Sequence, residues 1–148
     1  MQYFETDPVR LSDDGQRIVI IDQRYLPNEL IYREIALAQD MYEAIKTLAV
    51  RGAPCIGVFA AYCVYVMSLH IGDNEFHGVL SQFISYLDSS RPTAVNLSWA
   101  LNEMKKVLDD SVMMSAETRR GLLKKRAEEI HQSDIDTCRK ISEYGLTL

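Results

Sequence analysis

At 148 residues and a net charge of −5, the chain is long enough for one domain with a real core and carries no basic footprint of the kind nucleic-acid binders show. Three cysteines, an odd number, argue against a disulfide framework and for buried thiols in a reducing, cytoplasmic setting. The N-terminus, MQYFETDPVRLSDDGQ, has no basic segment followed by an apolar one, which argues against a signal peptide.

A first strand is predicted near Phe4 to Leu11 and a second, β-branched and compact, over Arg17 to Ile21, with the Asp13-Asp14-Gly15-Gln16 turn signal between them. Pro27 ends the second because it has no N–H to give a ladder. A third strand is predicted over Glu29 to Ile35, completing a small antiparallel sheet in residues 1–35. From Ala38 the period becomes helical, with Met41, Ala44, Ile45 and Leu48 on one face. Next comes an apolar helix from Pro54, a residue suited to a first helical turn because its missing N–H would be unpaired there anyway. A third helix is predicted over Glu75 to Leu87, with Val79, Leu80, Phe83, Ile84 and Leu87 inward. Ser89-Ser90-Arg91-Pro92-Thr93 breaks the pattern. A fourth helix runs to about Val112, with Ala94, Leu97, Leu101, Met104 and Leu108 inward. Ser115 reads as the N-cap of a fifth, whose apolar side is Ala127, Ile130, Cys138 and Ile141 and whose Lys124 to Glu129 stretch is a solvated face. The fold class is therefore α+β: a small sheet, then about five helices in residues 36–148. Gly145 reads as a C′ residue, and Leu146-Thr147-Leu148 as the start of another element, as in a piece of a longer chain.

The run from Ala53 to Ile71 is the one membrane candidate. It is barely long enough, contains Pro54, Gly57, Ser68 and His70, and is flanked by amphipathic helices, so it reads as the centre of a core.

Two corners could carry chemistry. In Arg51-Gly52-Ala53-Pro54 and in Arg91-Pro92-Thr93-Ala94, an arginine precedes a helix N-terminus. A helix start offers free N–H groups and partial positive charge, and arginine adds a planar fork matched to phosphate. Gly52 would let a ligand approach the backbone closely. Facing each other, the corners would cradle a phosphate. The plain alternative is that Arg51 caps the preceding helix and Arg91 pairs with Asp88 or another surface carboxylate. His70, His77 and His131 lack metal-ligand spacing, Cys55 reads as packing, Trp99 as core, and Asp109-Asp110 as non-catalytic.

Asp22-Gln23-Arg24-Tyr25-Leu26-Pro27, Ala44-Ile45, Val50-Arg51-Gly52-Ala53-Pro54-Cys55-Ile56-Gly57-Val58 and Arg91-Pro92-Thr93-Ala94-Val95-Asn96-Leu97 resemble, in order and spacing, the methylthioribose-1-phosphate isomerases of methionine salvage. These are related in fold to the regulatory subunits of translation initiation factor 2B, and the resemblance covers the whole chain. It implies that Arg51, Gly52, Ala53 and Arg91 contact a sugar-phosphate substrate, with Asn96 helping to hold the site. It implies no metal and no nicotinamide cofactor. Cys55 and Cys63 stand where the family usually has alanine and glycine, and neither they nor Cys138 occupies the catalytic position. The resemblance places the catalytic cysteine and aspartate beyond Leu148, in a Rossmann-like C-terminal domain. The chain is thus expected to be inactive alone, to associate with that domain and to form homo-oligomers, with neither nucleic acid nor membrane as a partner. Three rivals stand beside this reading: a ribose-1,5-bisphosphate isomerase, a non-catalytic regulatory module binding a sugar phosphate or nucleotide, and a plain helical interaction domain.

Overall fold

The structure is a computed structural model, and it describes residues 8–50 and 52–147. Its architecture is α+β. Strands β1 (Val9–Leu11), β2 (Ile18–Ile21) and β3 (Tyr32–Ile35) form one antiparallel sheet in that order. Val9 pairs with Ile20 and Leu11 with Ile18; Ile18 pairs with Ile35 and Ile21 with Tyr32. The β1–β2 turn is closed by Ser12 N–H donating to the Arg17 carbonyl at 2.8 Å. Asp14 accepts from the Ser12 hydroxyl at 2.6 Å and from Gln16 N–H at 3.0 Å. All four residues of β2 are buried, as a central strand requires, whereas β3 buries only Ile35.

Five helices follow: α1 (Ala38–Lys46), α2 (Ala53–Ser68), α3 (Phe76–Asp88), α4 (Val95–Asp110) and α5 (Ala116–Thr147). Helix α2 is the axis of the fold. Its residues from Ile56 to Val66 are buried without interruption, because α4 and α5, the sheet, α1 and α3 pack around it. That all-round burial is what its nearly unbroken apolar sequence demands. No helix among the described residues is long and apolar enough to cross a membrane. Val9, Ile18, Ile20 and Ile35 of the sheet share one core cluster with the helices. Helices α2 and α4 cross closely at Gly57, where an added Cβ would lie 3.3 Å from the Asn96 carbonyl oxygen and 3.7 Å from Ala100 Cβ.

Two arginines, Arg119 buried and Arg120 half-buried, tie the far ends of these helices. Arg119 donates to the Leu108 carbonyl at 2.7 Å, to the Ser111 hydroxyl at 3.3 Å and to His77 Nδ1 at 2.9 Å. Arg120 donates to the Ser68 and Ile71 carbonyls at 2.8 and 2.7 Å. Both guanidinium groups lie over the Phe76 ring. The cations answer the partial negative charge at the C-termini of α2 and α4. Burial pulls the Arg119 pKa downward. Helix α5 is also tied to α4 by Arg126 donating to Glu103 at 2.8 Å, and the Ser115 hydroxyl caps its start by accepting from Thr118 N–H at 3.2 Å.

Several expectations need correction. Leu48 is not on the inward face of α1: the helix stops at Lys46, and Leu48 turns the chain in the left-handed region at φ 67°, partly exposed. Val79 and Trp99 are exposed, at the margins of their helices' buried faces. Ala94 sits just before α4 rather than within it. Gly145 does not end α5, which runs on to Thr147. Cys138 and Ile141 are exposed, because the last turns of α5 extend past the helices that bury Ala127 and Ile130. The first strand is observed only as Val9–Leu11, and residues 4–7 of the predicted strand lie outside the described residues.

Candidate anion-binding site

Gly52 and Arg91 line one cavity. Its other walls are Ile56 from α2 and Ala94, Val95, Asn96 and Leu97 at the start of α4, and its volume is about 200 Å³. Drug-sized sites commonly span ~300–1,000 Å³, so this cavity suits one small group rather than a large ligand.

The helix starts there are open. Gly52 is the N-cap of α2 and Ala94 the N-cap of α4, and no side chain caps either. Neither first turn carries an acidic residue. In α4 the first amide with a helical partner is Ser98, which donates to the Ala94 carbonyl at 3.2 Å. The N–H groups of Val95, Asn96 and Leu97 therefore point out of the helix end, at the cavity wall. A helix normally spends a serine, threonine, asparagine or aspartate here. Two helix starts that both forgo one meet at one cavity, and the outward N–H groups of α4 and two partial positive charges are left there for an outside acceptor.

Gly52 has φ 93° and ψ 128°, a conformation closed to side-chain-bearing residues. An added Cβ would meet no atom within 4 Å, so backbone conformation, not crowding, requires glycine, and the surrounding space is open to a ligand. Arg91 is half-buried. Among the described residues its guanidinium has no carboxylate and no acceptor; Asp88, one partner the plain alternative offered, instead accepts from the Ser98 hydroxyl at 2.6 Å. Ala53 is the first residue of α2. Arg51 lies outside the described residues. No aspartate, glutamate, histidine or cysteine lines the cavity among the described residues, so it offers donors and cations but no proton carrier.

Asn96 also lines a second cavity of about 230 Å³ between α2, α4 and α5. Pro54, Val58, Trp99 and Ile130 form its apolar side, and Ser133, Asp134 and Thr137 its polar rim. Among the described residues, no lysine or arginine lines it. Trp99, expected in the core, is a wall of this cavity instead.

Other groups fall into place away from the cavity. No cluster of His, Cys, Asp and Glu that could hold a metal occurs among the described residues. Full burial pushes the Cys63 thiol well above its usual range, which makes it inert. Asp109 pairs with Lys105 at 2.9 Å and with His77 at 3.4 Å. The Tyr62 hydroxyl lies 2.5 Å from His131 Nδ1. Asp22 is fully buried, and the Arg24 guanidinium beside it, with Arg24 N–H and Arg33, outweighs desolvation and holds its pKa at about 2. Sequence reasoning named the arginine and glycine corners but not the donors of Val95 and Leu97; the signal for them was an alanine standing where a capping residue is usual.

The chain belongs to the initiation factor 2 subunit family, whose model matches residues 49–148. It is 40% identical over 144 residues to a 5-deoxyribose 1-phosphate isomerase from Bacillus cereus, covering 95% of this chain and 41% of that protein. A 5-deoxyribose 1-phosphate isomerase from Clostridium botulinum is 38% identical over 143 residues, again covering 95% of this chain and 41% of the relative. Among solved structures, 5-methylthioribose 1-phosphate isomerase from Pyrococcus horikoshii superposes with a TM-score of 0.80 at 29% identity, covering 85% of this chain and 36% of that one. The translation initiation factor eIF-2B, subunit delta, from A. fulgidus superposes with a TM-score of 0.76 at 30% identity, covering 86% and 37%. The chain thus spans about two fifths of the length of the curated relatives it matches.

Proposed function

We propose that this chain supplies the phosphate-binding part of an aldose–ketose isomerase site that converts methylthioribose 1-phosphate to methylthioribulose 1-phosphate, as in methionine salvage. The observation that carries the reading is the convergence on one small cavity of two helix starts without side-chain caps, Gly52 and Arg91, which has no partner among the described residues. A sugar 1-phosphate has its anomeric oxygen esterified, so ring opening needs a positioned acid before a hydrogen can move between C2 and C1. The cavity walls carry no such group among the described residues, which fits a division of labour: this chain binds the phosphate, and groups outside it move the protons. Turnover by the 148-residue chain alone would contradict that division.

The second cavity bears on the sugar's other end. Its apolar wall of Pro54, Val58, Trp99 and Ile130 suits a 5-methylthio or 5-deoxy substituent better than a second phosphate. This favours the methylthioribose and deoxyribose substrates named for the relatives over ribose 1,5-bisphosphate. The likeness to subunit delta keeps one alternative, a regulatory module that binds the same phosphate without turnover. The test is calorimetric titration of the chain with methylthioribose 1-phosphate and ribose 1,5-bisphosphate. Loss of the charge-assisted Arg91 contact in Arg91→Ala is expected to weaken methylthioribose 1-phosphate binding by about tenfold or more. Equal binding by wild type and variant would refute the phosphate role, and tighter binding of the bisphosphate would refute the substrate.

A further inference from the structure

The Asp22-Gln23-Arg24 turn stands out in the sequence, yet none of its residues lines the anion cavity. We propose that Gln23 is a positioning residue for the anion corner, clasping the chain on both sides of Gly52. The inference rests on the reading of that corner as a phosphate site.

The geometry has three parts. First, Gln23 reaches both flanks of the corner. Its N–H donates to the Ala49 carbonyl at 2.9 Å, and its side-chain Nε2 lies 3.7 Å from Cys55 Sγ. Ala49 precedes Arg51 by two residues, and Cys55 follows Gly52 by three. Second, Gln23 is itself held. Asp22 accepts from Arg24 N–H at 3.2 Å, shaping the short 3-10 turn Gln23–Tyr25, and binds the Arg24 side chain through both carboxylate oxygens at 2.9 and 2.6 Å. Asp22 N–H donates to the Ile31 carbonyl at 2.8 Å, which anchors the turn beside β3. Arg24 also donates to the Thr47 hydroxyl at 3.4 Å, at the end of α1. Third, the clasped segment needs holding. Leu48 sits at φ 67°, which a side-chain-bearing residue rarely adopts, and Gly52 at φ 93° lies where the backbone has its widest freedom, so the bend between α1 and α2 does not hold itself. Open helix starts bind an anion well only if their donors are fixed before the anion arrives.

The cysteines provide the assay. Cys55 is half-buried beside Gln23, Cys63 is fully buried in the core, and Cys138 is exposed. In a Cys138→Ser background, alkylation of Cys55 by iodoacetamide reports opening of the corner, and alkylation of Cys63 reports unfolding of the whole domain. Gln23→Ala is expected to speed Cys55 alkylation about three- to tenfold, the range of one lost hydrogen bond, and to leave Cys63 unchanged. The same variant is expected to weaken binding of inorganic phosphate by a similar factor, read from the Gly52 amide shift in NMR titration. Equal acceleration of both thiols would mean plain destabilisation and would overturn the proposal, as would an unchanged Cys55 rate. Local opening with unchanged phosphate affinity, in a protein whose affinity does fall on Arg91→Ala, would also overturn it. Should Arg91→Ala leave phosphate affinity unchanged, the phosphate-site reading fails instead, and the thiol rates still decide whether Gln23 holds the corner.

Discussion

Replacing Ala94 with aspartate should make the domain more stable and the anion site worse. Ala94 has φ −80° and ψ 100°, the extended geometry of an N-cap, but no side chain with which to cap. Aspartate there can accept from the outward N–H groups of α4, a change from alanine worth about 1 kcal/mol, within a range of roughly 0.5–2. Its charge adds about 0.3–1 kcal/mol against the helix dipole. At roughly 2–4 °C per kcal/mol for a domain of this size, thermal unfolding should rise by a few degrees. The same carboxylate would occupy the donors that face the cavity and set a negative charge beside Arg91, so phosphate affinity should fall at least about tenfold. Ala94→Asn separates the two effects: it caps without the charge, so it should stabilise similarly and weaken binding less. The assays are calorimetric melting and NMR titration with inorganic phosphate. An Ala94→Asp protein that is stabilised yet binds phosphate as tightly as wild type would refute the claim that open helix starts make the site. A protein that is not stabilised would show that the α4 start already has a partner.

Asp22→Asn tests the buried ion pair through pH. A carboxyl held at about 2 against the ordinary 3.8 contributes about 2 kcal/mol, present above pH 3.8 and lost as pH falls through about 2. Wild type should therefore exceed the variant by about this amount at pH 6, and the gap in urea-denaturation free energy should close by pH 2; a gap independent of pH would refute the assignment. Arg119→Met removes a buried cation that satisfies the Leu108 carbonyl, Ser111 and His77, and should cost about 2–4 kcal/mol in urea denaturation. Because Arg119 ties the opposite end of α4, phosphate affinity of the folded variant should be unchanged, and a binding loss as large as that of Arg91→Ala would contradict this separation.

The sequence by itself determined the element types and the chemistry on offer. The Arg17 to Ile21 run reads as a strand from its β-branched residues and flanking turn signals, and the apolar stretch after Pro54 as a helix enclosed by others; side-chain shape, run length and proline geometry settle such questions locally. It also marked Arg91 and Gly52, because arginine and glycine ahead of a helix start imply a definite physical use. Tertiary structure decided which of these residues meet. Gly57 lets α2 and α4 approach so closely that their N-termini share one cavity, and that contact joins residues about forty positions apart. The same packing turned Trp99 outward, left Cys138 and Ile141 exposed on the projecting end of α5, and gave Asp88 to Ser98 rather than to Arg91. Periodicity assigns a face to a helix, but only its neighbours decide how far along its length that face is covered, and a hydrogen bond goes to whichever group the fold brings within reach.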